Sequence, residues 1–279
     1  MKKISFVLTL CLIGFYNLLN AQTLELSESD LNLKLDSILA EGHLLYQYEK
    51  SAWLSTDYAS EYPIIREKAG GYFTYEYSKG IKTIILNKDR NKCIAEYYFY
   101  DNFNFPDSLV KRNLTELETK LLSVQFNILN KITTEPKYKI FTKMPYGYSI
   151  NFVLIPFGEK YKFYILTGTT LSKIIPFGND FLFITDKDGN VESWQKFHSV
   201  LLPTQKETEV NGIEVNRIGH SHLETTPFIT ATEIATFKLY APLCDISTFF
   251  VMSPALDKVM IYDLQTDKIT IEEYKNQIK

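Results

Sequence analysis

Between Gly70 and Tyr100 the chain reads GGYFTYEY, KTIILN and CIAEYYFY, three aromatic and β-branched runs separated by Lys/Gly and Asn/Asp turns. Such side chains are stiff on a helix but fill the faces of a pleated sheet. The segment is expected to fold as a three-stranded antiparallel meander. The same pattern returns after Pro136 in SINFVLIPF, KYKFYILTG, DFLFITD and VESWQKFHSVLL, with Asp188-Gly189 as a hairpin turn between the last two. Tyr and Phe, at 19 each, supply the strand formers.

Helical spacing interrupts these strands in three places. From Ser29 to about Leu54, the residues Leu31, Leu35, Ile38, Leu39, Leu45, Tyr46 and Trp53 recur every three or four positions, which reads as one long amphipathic helix with a bend at Gly42. His43 within it is read as structural. Glu49, Trp53, Thr56 and Asp57 are read as architecture, with the tryptophan packing on the C-terminal part while Thr56 and Asp57 end the helix. In NLTELETKLLSVQFNILNKI, Thr115 and Glu118 form a capping box, and Leu117, Leu121, Val124 and Ile128 form the buried face. A third helix is expected over Thr230–Tyr240, with STFFVMS and KVMIYDLQTDKITIEE closing the chain as strands. The expected class is α+β. Residues 22–135 form an N-terminal helix-and-meander region, and residues 136–279 form a β-rich region with one helix and no flexible linker before it.

The first residues, MKKISFVLTLCLIGFYNLLNAQ, place Lys2 and Lys3 ahead of a short apolar run and the small residue Ala21. That pattern reads as a secretory signal peptide over residues 1–21, cut near Ala21-Gln22, and sends the chain to the periplasm or the extracellular space. About 258 residues remain, enough for a sizeable core, and no later segment is long and apolar enough to span a bilayer. A formal charge of −3 without long runs of one sign suggests neither nucleic acid nor an anionic membrane surface. Cys93 and Cys244 could form one disulfide; spacing does not decide it. No phosphate-binding glycine loop, zinc-ribbon cysteine pairing or G-x-S-x-G elbow is present.

The chemistry concentrates in GHSHLETTPFITATEIATFKLY, residues 219–240, which holds two of the chain's four histidines. On an extended strand, His220 and His222 share one face and offer two imidazole nitrogens to one metal ion. Glu233, eleven residues on, opens the next helix and could return to the same ion as a third ligand. Thr230-Ala231-Thr232-Glu233 is also a capping box by sequence, which occupies the glutamate without any metal. His198 is read as a half-buried histidine inside a strand, with support of the site from behind as the alternative.

The pattern His220-x-His222, seven residues, Thr230, two residues, Glu233 resembles the signature of the JAMM (JAB/MPN-type) zinc metalloproteases, H-x-H, seven residues, S, two residues, D. The resemblance covers about twenty residues of the C-terminal half, and Leu223 stands where that family usually has proline. It implies that His220, His222 and Glu233 bind zinc and that Thr230 steadies a tetrahedral intermediate. It also implies a zinc-activated water that attacks a peptide or isopeptide carbonyl. The family's upstream general base would fall to Asp180 in PFGNDFLFI or to Glu159 in EKYKFYILTG, although Gly178-Asn179-Asp180 also reads as a turn. Two expectations follow. One is an exported zinc-dependent peptidase or isopeptidase with a peptide or protein substrate, or a descendant that keeps the metal without the chemistry. The other is a non-catalytic exported α+β binding module.

Overall fold

A computed structural model describes residues 26–100, 111–140, 144–198, 200–205, 209–210, 213–214 and 217–274. The signal segment read over residues 1–21 lies outside them. The architecture is α+β. It opens on α1 (Glu28–Glu61), capped by Ser27, whose side chain accepts from the Asp30 backbone N–H. At 1.5 Å per residue its 34 residues extend about 50 Å. The helix outruns the expected end near Leu54, and Thr56 and Asp57 lie inside it.

Gly42 lies inside α1 where the helix meets another element. A Cβ built there would lie 2.6 Å from Ile234 Cβ, so the glycine lets the helix cross closely over α4 (Ala231–Tyr240). Nearly every residue of α4 is buried, the mark of a helix enclosed on all sides rather than laid on a surface. Trp53 packs on Tyr240 at the far end of α4, with ring centroids 5.5 Å apart, as its spacing suggested.

After the short α2 (Pro63–Lys68) the expected meander appears as β1 (Ala69–Tyr77), β2 (Gly80–Asn87) and β3 (Lys92–Phe99), antiparallel throughout. The two-residue β4 (Arg112–Asn113) adds to its edge. On α3 (Glu116–Thr134) the buried face runs through Glu118, Leu121, Val124, Ile128 and Ile132. Leu117, expected on that face, is exposed, because Glu118 turns inward to meet Arg112 and Tyr75.

The second sheet has the order β5-β6-β8-β9: β5 (Tyr148–Phe157), β6 (Lys160–Thr169), β8 (Phe181–Thr185) and β9 (Val191–Lys196). The last two are joined through the Asp188-Gly189 turn, where Gly189 has φ +80°. VESWQKFHSVLL, expected as one strand, is two. β9 ends at Lys196, and β10 (Leu201–Gln205) leaves the sheet to pair with β7 (Ile174–Gly178). After the two-residue strands β11 (Glu209–Val210) and β12 (Ile213–Glu214), β13 (Arg217–Ser221) runs parallel to β14 (Thr248–Ser253), with α4 between them in sequence. β15 (Lys258–Asp263) and β16 (Lys268–Glu273) complete that sheet in antiparallel fashion.

Apolar clusters draw on both sides of residue 135. Leu31, Leu35 and Ile38 of α1 pack with Phe177, Ile234, Phe237, Phe249 and Val251. Phe73 and Ile84 of the meander, with Leu121, Val124 and Ile128 of α3, pack on Phe163, Phe181 and Phe183 of the second sheet. Cys93 and Cys244 are buried in different clusters and are not disulfide-bonded.

Candidate metal centre

The site forms where β13, the N-terminus of α4 and the break between β9 and β10 meet. His220 lies in β13. His222 follows one residue beyond it and prolongs the parallel pairing by donating its backbone N–H to Met252 O at 2.9 Å. Two-residue spacing puts both rings on one face, stacked with centroids 5.0 Å apart. The loop after His222 returns to the site because His222 Nδ1 bonds Phe228 O at 2.8 Å.

Glu233 uses its two carboxylate oxygens separately. Oε2 closes the capping box, accepting from Thr230 N at 2.7 Å and Thr230 Oγ1 at 2.9 Å. Oε1 faces the imidazoles, 2.7 Å from His220 Nε2 and 2.9 Å from His222 Nε2. Capping and metal binding therefore do not compete.

A fourth residue joins them. His198, expected inside a strand, sits in the break after β9, with its Nε2 3.2 Å from both His222 Nε2 and Glu233 Oε1. Two backbone bonds hold that break against the β7–β8 turn: Phe197 N to Asp180 O at 3.1 Å and Asn179 N to Val200 O at 3.0 Å. Gly178 and Asn179 take φ of +83° and +54°, so the expected turn at Gly178-Asn179-Asp180 is present, and it is the device that delivers Asp180. Asp180 Oδ1 bonds His198 Nδ1 at 2.7 Å, and Thr232 Oγ1 donates to Oδ2. Both of its oxygens are thus engaged, and it reaches the centre through the His198 ring. Glu159 lies in the exposed turn between β5 and β6, outside the cluster.

His198, His220, His222 and Glu233 form a group that could hold a metal ion, their ligand atoms all within 4.8 Å of one another. The corners of a tetrahedral shell with bonds of about 2.0–2.1 Å lie about 3.3 Å apart. Five of the six separations here run from 2.7 to 3.2 Å, slightly shorter than in such a shell, and the sixth, between His198 and His220, is within 4.8 Å. Protonation sharpens the fit. A carbonyl oxygen only accepts, so His222 Nδ1 carries the proton toward Phe228 O, and the neutral ring turns a lone pair inward. His198 does the same against the Asp180 carboxylate. Lone pairs then meet lone pairs around one point, an arrangement that calls for a cation.

In the absence of a metal, protons supply that positive charge. Burial alone would lower the pKa of His198, but the Asp180 and Glu233 carboxylates outweigh it and push the ring up to about 10. His222 is also raised, with burial opposing and Glu233 prevailing. Burial would raise Glu233, yet His222, His198 and His220 hold it well below the usual carboxylate range. Without a metal, the centre takes up protons instead.

His220, His222 and Glu233 therefore meet as their spacing suggested. Thr230 lies behind them, its hydroxyl shared between Glu233 Oε2 and Thr232 Oγ1, which is 3.0 Å away. His198 was weighed only as a support from behind the site, and Thr232 was not singled out. The signal for His198 was histidine scarcity, since all but one of the chain's four histidines converge here. No known protein family, curated protein or solved structure matches this chain.

Proposed function

We propose that this chain is an exported metal-binding protein in which His198, His220, His222 and Glu233 hold one divalent transition-metal ion, zinc above all. One observation carries the reading: four donor atoms lie within 4.8 Å of one another, and the outward atoms of three of those residues are fixed by acceptors or donors of their own. Asp180 orients His198, Phe228 O orients His222, and Thr230 orients Glu233. Outer partners of this kind fix the tautomer and angle of metal ligands. Three imidazoles and one carboxylate suit zinc, which favours four-coordinate nitrogen and oxygen sets. Four protein donors fill a tetrahedral shell, the arrangement of a structural rather than a hydrolytic zinc site. The ion would tie β13, the loop that follows it, α4 and the β9–β10 break into one unit.

A JAMM-like hydrolase is the second reading, favoured by the spacing of His220, His222, Thr230 and Glu233. It needs an open coordination position and a base, and Asp180 is already engaged by His198 and Thr232. Elemental analysis separates these readings from a metal-free binding module. One zinc per chain is expected in the wild type and none in His222→Ala; equal zinc in both would remove the site. A peptide and isopeptide cleavage screen on the zinc-loaded wild type is expected to show no turnover. Turnover that Asp180→Asn abolishes with zinc retained would establish the hydrolase instead.

A further inference from the structure

At the other end of α4, about two helical turns from Glu233, a cleft of about 450 Å³ opens between α1 and the second sheet. Its volume falls in the range of small-molecule sites, roughly 300–1,000 Å³. Glu49, Trp53, Thr56 and Asp57 line it from α1, at the spacing of a single helical face. Tyr72, Asn151, Gly168 and Tyr240 line it from the sheets and α4. Gly168 keeps the floor open: a Cβ there would lie 2.9 Å from Ser149 Oγ and 3.0 Å from Asn151 Nδ2.

We propose that this cleft binds a small organic ammonium ion, with the Glu49 carboxylate as its counter-ion and the Trp53, Tyr72 and Tyr240 rings around its carbon skeleton. Three observations carry this. Glu49 is 7% exposed, yet among the described residues its carboxylate takes one hydrogen bond, from Asn151 Nδ2 to Oε2 at 2.7 Å. A buried carboxylate normally has several donors or a cationic partner. The lining contains two carboxylates, Glu49 and Asp57, and no lysine, arginine or histidine, so its charge repels anions and attracts cations. The aromatic rings add the faces over which cations settle. The free carboxyl answers to the same environment: burial, opposed by Asn151, pushes it up to about 7. An ammonium ligand would supply the missing donors and charge.

Isothermal titration of the purified protein with tyramine, spermidine and choline, against glucose and acetate as neutral and anionic controls, tests this. At least one ammonium probe is expected to bind, with glucose and acetate at least tenfold weaker. Glu49→Gln, which keeps the shape and the Asn151 bond, is expected to weaken binding at least about tenfold, the loss of a charge-assisted bond. Asp57→Asn, at the exposed rim, is expected to weaken it about two- to threefold, more at low salt. Ammonium probes that bind no better than glucose, or that bind Glu49→Gln and wild type equally, would overturn the proposal.

Discussion

α3 and α4 begin with the same four-residue device, Thr115-x-x-Glu118 and Thr230-x-x-Glu233, and both close a full capping box. Both glutamates are buried, yet different groups face their carboxylates. Glu118 receives hydrogen bonds from Tyr75 OH and from two nitrogens of Arg112, each at 2.7 Å, with Lys82 Nζ 3.7 Å away. The Arg112 guanidinium, the Thr115 cap and the Tyr75 hydroxyl overcome the effect of burial and hold its pKa down near 2. Glu233 instead meets three imidazole nitrogens, two of which turn lone pairs toward it when neutral. The difference lies in the cation: Arg112 and Lys82 hold a fixed charge beside Glu118, whereas the imidazoles beside Glu233 carry protons that an ion could replace, as the proposed metal site requires. Glu49 is a third case, a buried carboxylate with one amide donor and a cavity.

The largest effect should separate the two caps by their need for metal. With zinc a thousandfold over its dissociation constant, the wild type gains about 4 kcal/mol of stability relative to protein in chelator. Glu233→Gln should lose nearly all of that gain in denaturant titrations with and without zinc, and Glu118→Gln should keep it. Equal zinc stabilisation of both variants would break the comparison.

Next in size is the cost of opening the α3 network. Removing the Glu118 charge leaves Lys82 and Arg112 sharing Glu96 alone, and breaking a buried ionic network in this way costs about 3–5 kcal/mol. Urea unfolding of Glu118→Gln should show that loss with zinc content unchanged.

Glu49 extends the comparison through pH. Its folded pKa, raised to about 7, lies above the ordinary carboxyl value, so the unfolded chain binds fewer protons between about pH 4.5 and 7. Stability from this group is therefore highest below about pH 4.5 and falls as pH rises through 7, by about 3 kcal/mol in all. Glu49→Gln should be more stable than wild type at pH 8, with the difference vanishing near pH 4; a pH-independent difference would contradict the assignment.

The smallest effect belongs to Asp180. It acts on the centre through His198, so Asp180→Asn should keep one zinc per chain and weaken its affinity about 10–100-fold in competition with a chromophoric chelator. No change would deny it a positioning role.

The elements were legible wherever periodicity ran long. The meander, the Asp188-Gly189 hairpin, both capping boxes and the strand that carries His220 all announced themselves, because turn chemistry and side-chain alternation act locally. Three of the four candidate ligands were legible for the same reason, since His220, His222 and Glu233 fall within fourteen residues. His198 was hidden because its strand breaks without glycine or proline. The cause of the break is tertiary, a pair of backbone bonds to the β7–β8 turn. Asp180 was noticed for its position ahead of a strand, but its bond to His198 depends on the same long-range clasp. Gly42 has a tertiary reason that its sequence surroundings do not show: the approach of Ile234, some 190 residues away in the chain.

The most direct test of the metal centre is diffraction from crystals grown with equimolar zinc, with data collected on both sides of the zinc absorption edge. The expected result is one anomalous peak per chain, about 2.0–2.1 Å from Nε2 of His198, His220 and His222 and from Glu233 Oε1. A zinc-replete crystal with no peak at that point, or with zinc held only elsewhere on the chain, would contradict the account.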